Sequence, residues 1–241
     1  MNPAERVVNG TIRRLTRVAC RVDDAELSKI PACGPLILVC NHINFLEVPL
    51  AYTHLMPRRL TGFAKAETWD NPALGWLFSM WEAIPVRRGE VDGRALRKAV
   101  EVLREGQLLA VAPEGTRSGN GQLQPGRPGV VMVALWSKAP LLPIAYYGGE
   151  MFSRNVRRLR RTDFHFVVGD PFRLDDRGER ATHLVRQRMV DEVMYQLAAL
   201  LPPDYRGVYS DLDRATETYL CFDPPATSNL RRVRELAQPS A

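Results

Sequence analysis

Apolar and polar positions follow two periods along this chain. Near the amino terminus Ala4, Val7, Val8, Ile12, Leu15, Val18 and Ala19 fall on one arc at helical spacing, with Arg6, Arg13, Arg14, Arg17 and Arg21 opposite. The pattern predicts an amphipathic helix within residues 1–22. The run Pro35–Cys40 predicts a buried strand ending at Asn41-His42, and residues 107–112, 140–146 and 164–168 read as further strands. Helical stretches lie between and after them, at 71–83, 92–105, 130–137 and 180–201, the last stopped by Pro202-Pro203. Strands alternating with helices predict an α/β domain whose mostly parallel sheet is covered by helices. No repeat or linker-like tract divides the chain. The expected organisation is an amino-terminal helix (1–22), one domain (23–237) and a frayed tail (238–241).

Composition adds boundaries. With 241 residues, 45% hydrophobic and 25% charged, the chain has the means to bury a core and does not resemble disordered or collagenous sequences. No apolar run reaches the roughly 18 residues of a membrane-spanning helix, and no signal peptide is apparent at the start. The cysteines Cys20, Cys33, Cys40 and Cys221 show no metal-ligand spacing and are expected to be buried free thiols. The four histidines are likewise scattered, so no metal site is expected. The net charge of +6 points to an anionic partner. Its position says more than its size, because cations concentrate in the amino-terminal helix and in 154–161, where five of eight positions are arginine (Arg154, Arg157, Arg158, Arg160 and Arg161). Neither segment carries the aromatic interleaving, zinc spacing or helix-turn-helix pattern of a nucleic-acid binder.

Chemistry is expected where strands end. The strand at 35–40 runs into Asn41-His42-Ile43-Asn44-Phe45-Leu46-Glu47. On one helix His42 and Glu47 would point about 140° apart, so they can meet only if the histidine precedes the helix and the acid opens it. The acid would then hold one ring nitrogen protonated and leave the other to take a proton from a hydroxyl. The competing reading is a capping box in which Asn44 and Glu47 serve only the helix start. The strand at 107–112 runs into Pro113-Glu114-Gly115-Thr116-Arg117-Ser118, a set suited to phosphate or hydroxyl recognition, or else a polar turn with Glu114 and Arg117 paired at the surface. Lys65 and the pair Arg87-Arg88 are, taken singly, solvated charges.

In order, Asn41-His42-x4-Glu47, Ile84-Pro-Val-Arg-Arg-Gly89, Pro113–Ser118 and Ala139-Pro-Leu-Leu-Pro-Ile144 resemble the four blocks of the glycerolipid acyltransferases, of the 1-acylglycerol-3-phosphate acyltransferase type. Gly169-Asp170-Pro171-Phe172 also looks like a later turn of that family. The resemblance implies transfer of an acyl group from acyl-CoA or acyl-carrier protein, as co-substrate and without a further cofactor, to the hydroxyl of a lysophospholipid. It implies His42 as general base and Glu47 as its orienting acid. Lys65, Arg88, Glu114, Gly115, Thr116 and Arg117 would bind the acceptor, and Pro143 would shape the acyl site. The basic amphipathic helix at 1–22 suits an anionic membrane surface, so the enzyme is expected to be cytoplasmic and peripheral there, and no nucleic acid is expected among its partners. The chain departs from the family at Glu47, where aspartate is usual, and at Arg87, where many relatives carry aspartate. Both departures leave room for another lysolipid or a glycolipid as acceptor. A non-catalytic lipid-binding protein is the more distant alternative, opposed by the joint presence of His42, Glu47, Glu114 and Arg117.

Overall fold

Along Leu36–Cys40 every residue is buried, and the side chains alternate between two cores. Ile37 and Val39 face one cluster while Leu36, Leu38 and Cys40 face the other, as the two-residue period of a strand requires when both faces of the sheet are covered. The computed structural model describes residues 3–87 and 92–237. Arg88 and the tail 238–241 lie outside the described residues. In chain order the elements are α1 (Pro3–Ala19), β1 (Cys20–Asp23), β2 (Leu36–Cys40), α2 (Glu47–His54), β3 (Leu60–Lys65), α3 (Pro72–Met80), β4 (Ile84–Val86), α4 (Gly93–Arg104) and β5 (Leu108–Val111). There follow α5 (Gly129–Ser137), β6 (Leu141–Tyr147), α6 (Phe152–Val156), β7 (Thr162–Val168), β8 (Arg173–Leu174), α7 (His183–Ala198), β9 (Leu220–Cys221) and α8 (Asn229–Ala237).

Seven strands form one sheet in the order β1-β7-β6-β2-β5-β3-β4. β6, β2, β5, β3 and β4 run parallel, whereas β7 is antiparallel to β6 and carries β1 parallel to itself. The fold is α/β and mostly parallel, with helices on both faces. Residues of α4, α5 and α7 build one core, and those of α2 with the 25–30 segment build the other. The carboxyl ends of β2, β5, β6, β3 and β4 therefore share one edge, which gathers residues 41–47, 112–118, Lys65 and Val86. β7 points the other way, so its terminal turn Gly169–Phe172 lies at the opposite edge, far from the His42 loop in topology. There Asp170 accepts a hydrogen bond from the Thr227 N–H at 2.8 Å.

Two expectations change. Cys20 and Cys40 are buried, but Cys33 is exposed and Cys221 half-buried. Cys33 sits in the exposed bend before β2, next to Gly34 at φ +87°. The amino-terminal helix forms, yet only one side of its apolar arc packs: Val8, Ile12 and Ala19 are half-buried. Asn9 and Thr16 are its buried residues, while Val7, Leu15 and Val18 are 69%, 64% and 73% exposed. Polar contacts set the rotation: the Trp81 indole donates to Asn9 Oδ1 at 2.9 Å, and Arg13 and Arg17 lie 3.8 and 3.7 Å from Asp24.

Candidate active site

β2 delivers His42 two residues beyond its end, and α2 begins at Glu47, so the pair is separated by a turn rather than by a helix. Asn41 fixes that turn to the sheet. Its side chain donates to the Tyr146 carbonyl at 2.8 Å and accepts from the Tyr146 N–H at 2.7 Å, replacing the ladder where β2 stops. Glu47, 3% exposed, then reaches back into the turn. Its Oε1 accepts from the N–H groups of Ile43 (3.2 Å) and Asn44 (2.9 Å), and its Oε2 lies 3.2 Å from His42 Nδ1. The helix-start reading and the His–acid reading thus describe one carboxylate. Asn44 completes the turn by accepting from the Leu46 N–H at 2.7 Å.

A neutral His42 that donates from Nδ1 to Glu47 keeps its free lone pair on Nε2. The His42 side chain is 17% exposed, so the ring is not sealed from solvent.

The second cluster closes on the first. Glu114 is 2% exposed and is not paired with Arg117. Its Oε1 accepts the His42 N–H at 2.8 Å and its Oε2 the Gln124 N–H at 3.0 Å. Burial raises its pKa above the ordinary carboxyl value, and these two backbone bonds oppose that shift. The Ser118 and Gly119 N–H groups donate to the His42 and Ile43 carbonyls at 2.8 and 3.0 Å, zipping the two loops together. Gly115 turns the chain at φ +68°, and a Cβ there would stand 3.0 Å from Arg127 Cδ. Among the described residues no acceptor takes the N–H of Thr116 or Arg117, so both remain available to an oxygen of a ligand.

Arg117 is exposed and makes no ion pair among the described residues. With Thr116, Ser118 and Gln124 it lines one wall of a cleft of about 810 Å³, whose other wall is formed by residues 203–210, including Asp204 and Ser210. That second wall is held by backbone bonds of Leu123 to Tyr205 (2.9 Å) and Val208 (3.3 Å). Sequence patterning did not single out this wall; the Pro202-Pro203 stop was its only local signal. Lys65 ends β3 on the same edge, where its ammonium lies 3.3 Å from Glu67. β5 stands between β3 and β2 and separates Lys65 from the His42 loop. Pro143 lies inside β6, buried, opposite Val39. Among the described residues no group of three or more His, Cys, Asp or Glu is placed to hold a metal ion.

The acyltransferase family model matches residues 21–147, more than half of the chain. The 1-acyl-sn-glycerol-3-phosphate acyltransferase of Bacillus subtilis is 26% identical over 61% of this chain and 71% of its own length. A chloroplastic protein of the same name from Brassica napus is 31% identical over 53% of this chain, an alignment spanning only 38% of that relative. The crystal structure of the 1-acyl-sn-glycerophosphate acyltransferase PlsC from Thermotoga maritima superposes with a TM-score of 0.56, covering 79% of this chain and 78% of the other. At 23% identity that likeness concerns the fold.

Proposed function

The chain belongs to the acyltransferase family, and on that premise we propose that it moves a fatty acyl group from acyl-CoA or an acyl-carrier protein to the hydroxyl of a lysophospholipid, 1-acylglycerol-3-phosphate being converted to phosphatidate. The observation that carries this reading is the His42 ring held through Nδ1 by the buried Glu47 carboxylate at 3.2 Å. Nε2 takes the proton of the acceptor hydroxyl as its oxygen attacks the thioester carbonyl. The tetrahedral intermediate collapses, the C–S bond breaks, and the proton held by His42 passes to the leaving thiolate. The free N–H groups of Thr116 and Arg117 are the donors we assign to the developing oxyanion.

Arg117, with Arg88 of the second block and Lys65 outside the blocks as further cations, binds the acceptor phosphate. Glu114 acts by fixing the His42 backbone, and Gly115 and Thr116 shape the turn that presents Arg117. The donor is a co-substrate, and no prosthetic group enters the scheme. The volume of the polar cleft beside Arg117, about 810 Å³, favours one second reading: the same chemistry on a lysolipid or glycolipid with a larger head group. We place the enzyme peripherally on the cytoplasmic face of the cell membrane, without a nucleic-acid partner. No helix of the described residues is long and apolar enough to cross a bilayer, and the exposed apolar stripe of α1 beside its arginines suits an anionic surface.

The test is thiol release from a long-chain acyl-CoA, with product identified by mass, in the presence and absence of lysophosphatidate. Release that requires lysophosphatidate and yields phosphatidate is expected. Release supported only by another lysolipid would replace the first reading with the second, and no release from acyl-CoA with transfer from acyl-carrier protein would fix the donor.

A further inference from the structure

Two arginine-rich segments that are distant in sequence meet in the fold. β1 pairs with β7, placing Cys20 opposite Thr162, and the Arg161 guanidinium donates to the Arg17 and Cys20 carbonyls at 2.6 Å each. The end of α1 is thereby tied to segment 151–161. Since β7 starts where β6 ends, both segments stand at the sheet edge that carries the His42 loop. They touch it: Asn44 Nδ2 donates to the Gly149 carbonyl at 2.6 Å, and the rings of Phe45 and Phe152 meet edge-on at 5.8 Å.

This border presents apolar groups to water. Leu159 is 98% exposed at a turn closed by Arg158 N–H and Arg160 N–H donating to the Asn155 carbonyl, both at 2.9 Å. It adopts φ 51°, a conformation suited to asparagine or glycine and unfavourable for a bulky side chain. Met151 and Val156 in the same segment, and Leu15 and Val18 on the adjoining turns of α1, are exposed too. A single exposed leucine is ordinary. A leucine held outward in a strained turn, among other exposed apolar groups and beside Arg154, Arg157, Arg158 and Arg160, needs a partner that is apolar and anionic at once. None of those four arginines is in an ion pair among the described residues.

We propose that the last turns of α1 and segment 151–161 form a docking surface for an anionic lipid bilayer, with Leu159 entering the acyl region and the neighbouring arginines engaging head-group phosphates. Docked so, the mouth of the His42 site faces the interface in which a lysolipid acceptor resides. This orientation rests on the reading that the acceptor is a membrane lipid; the docking itself does not. The charge alone would also suit an acidic carrier protein, but the protruding leucine matches hydrocarbon better than a folded acidic surface.

Sedimentation of the full chain with vesicles of equal parts phosphatidylcholine and phosphatidylglycerol tests the proposal. Leu159→Asn preserves the left-handed turn and should weaken vesicle binding by about tenfold. The triple variant Arg157→Gln/Arg158→Gln/Arg160→Gln should weaken it by about a hundredfold, about fivefold for each arginine. Neither variant should alter thiol release with a short-chain acceptor dissolved as monomer. Failure of the wild type to sediment, or wild-type sedimentation of both variants, would overturn the proposal. So would intact vesicle binding combined with loss of transfer from acyl-carrier protein alone, which would assign the surface to that protein. Vesicle binding that falls as expected in a protein inactive on every lysolipid would refute the substrate reading and leave the docking surface standing.

Discussion

The two sides of the candidate site are ordered differently. On the His42 side, Glu47 and Glu114 are 3% and 2% exposed, and each of their four carboxylate oxygens receives a hydrogen bond or faces the His42 ring. On the cleft side, Arg117 stands in solvent without an ion pair among the described residues. Folding itself fixes the His42 ring, because a buried carboxylate left unpaired would be strongly unfavourable. On the proposed function, the arginine is settled only when the acceptor phosphate arrives. Changes on the first side should therefore act on kcat, and changes on the second on KM.

Altering the buried side gives the largest effect. Glu47→Gln removes the charge that holds His42 and turns an NH2 group toward the N–H groups of Ile43 and Asn44. We expect kcat to fall on the order of 10²-fold or more. Glu47→Asp restores the charge and the residue usual in related enzymes, but draws the carboxylate back by about 1.5 Å from a turn built around glutamate. An intermediate loss, on the order of tenfold, is expected. Equal activity of the three proteins in steady-state assays would remove Glu47 from the mechanism.

A change on the open side sharpens the contrast. Arg117→Gln should raise the KM for a phosphorylated acceptor about 10–100-fold, the worth of a charge-assisted contact, and leave kcat within a few-fold. A fall in kcat at unchanged KM would mean that the arginine acts on the transition state instead.

The smallest effect concerns the far end of α2, the helix that Glu47 opens. His54 is buried there, with Nδ1 2.7 Å from Asp24 Oδ2 and Nε2 without a hydrogen-bond partner among the described residues. Burial lowers its pKa below the ordinary 6.5; the bond to Asp24 opposes this, while Arg13 and Arg17 add to the lowering. The folded state thus prefers the neutral ring, and the unfolded state takes up the proton first as pH falls. The contribution to stability is complete above about pH 6.5 and is lost as pH falls toward the folded pKa. Thermal melts between about pH 7.5 and about pH 5 should show a decline that is flatter in His54→Gln. An identical slope in both would assign the acid sensitivity elsewhere.

The sequence revealed the elements whose faces are apolar and whose ends are marked. In α4, Ala95, Ala99, Val100, Val102 and Leu103 are buried as their spacing required, and Asp92 caps the helix by accepting from the Arg94 and Ala95 N–H groups. β2, β5 and β6 were equally legible as apolar runs. β3, β4 and β1 were not. β3 contains Gly62, where the Ala110 carbonyl approaches to 3.0 Å of the position a Cβ would take; β4 is three residues with a central proline at the sheet edge; β1 is the charged run Cys-Arg-Val-Asp.

At the site, residue identity showed His42, Glu47 and Glu114, but not that Glu114 binds the His42 backbone. That contact depends on β2 and β5 being neighbours, a property of the sheet and of no local pattern. The rotation of α1 was hidden for the opposite reason. Its apolar arc was plain, yet Asn9 and Asp24 drew the packed face to one side of it, so that Val8, Ile12 and Ala19 are half-buried while Val7, Leu15 and Val18 are left on the solvent side.

The central claim is that His42 takes the proton of the acceptor hydroxyl. Its most direct test is acceptor-dependent thiol release by His42→Ala beside the wild type, with circular dichroism and melting temperature confirming that both are folded. A loss on the order of 10²–10⁴-fold in kcat with the fold intact is the predicted result. Acceptor-dependent release within a few-fold of wild type would contradict the claim and move the base to another residue.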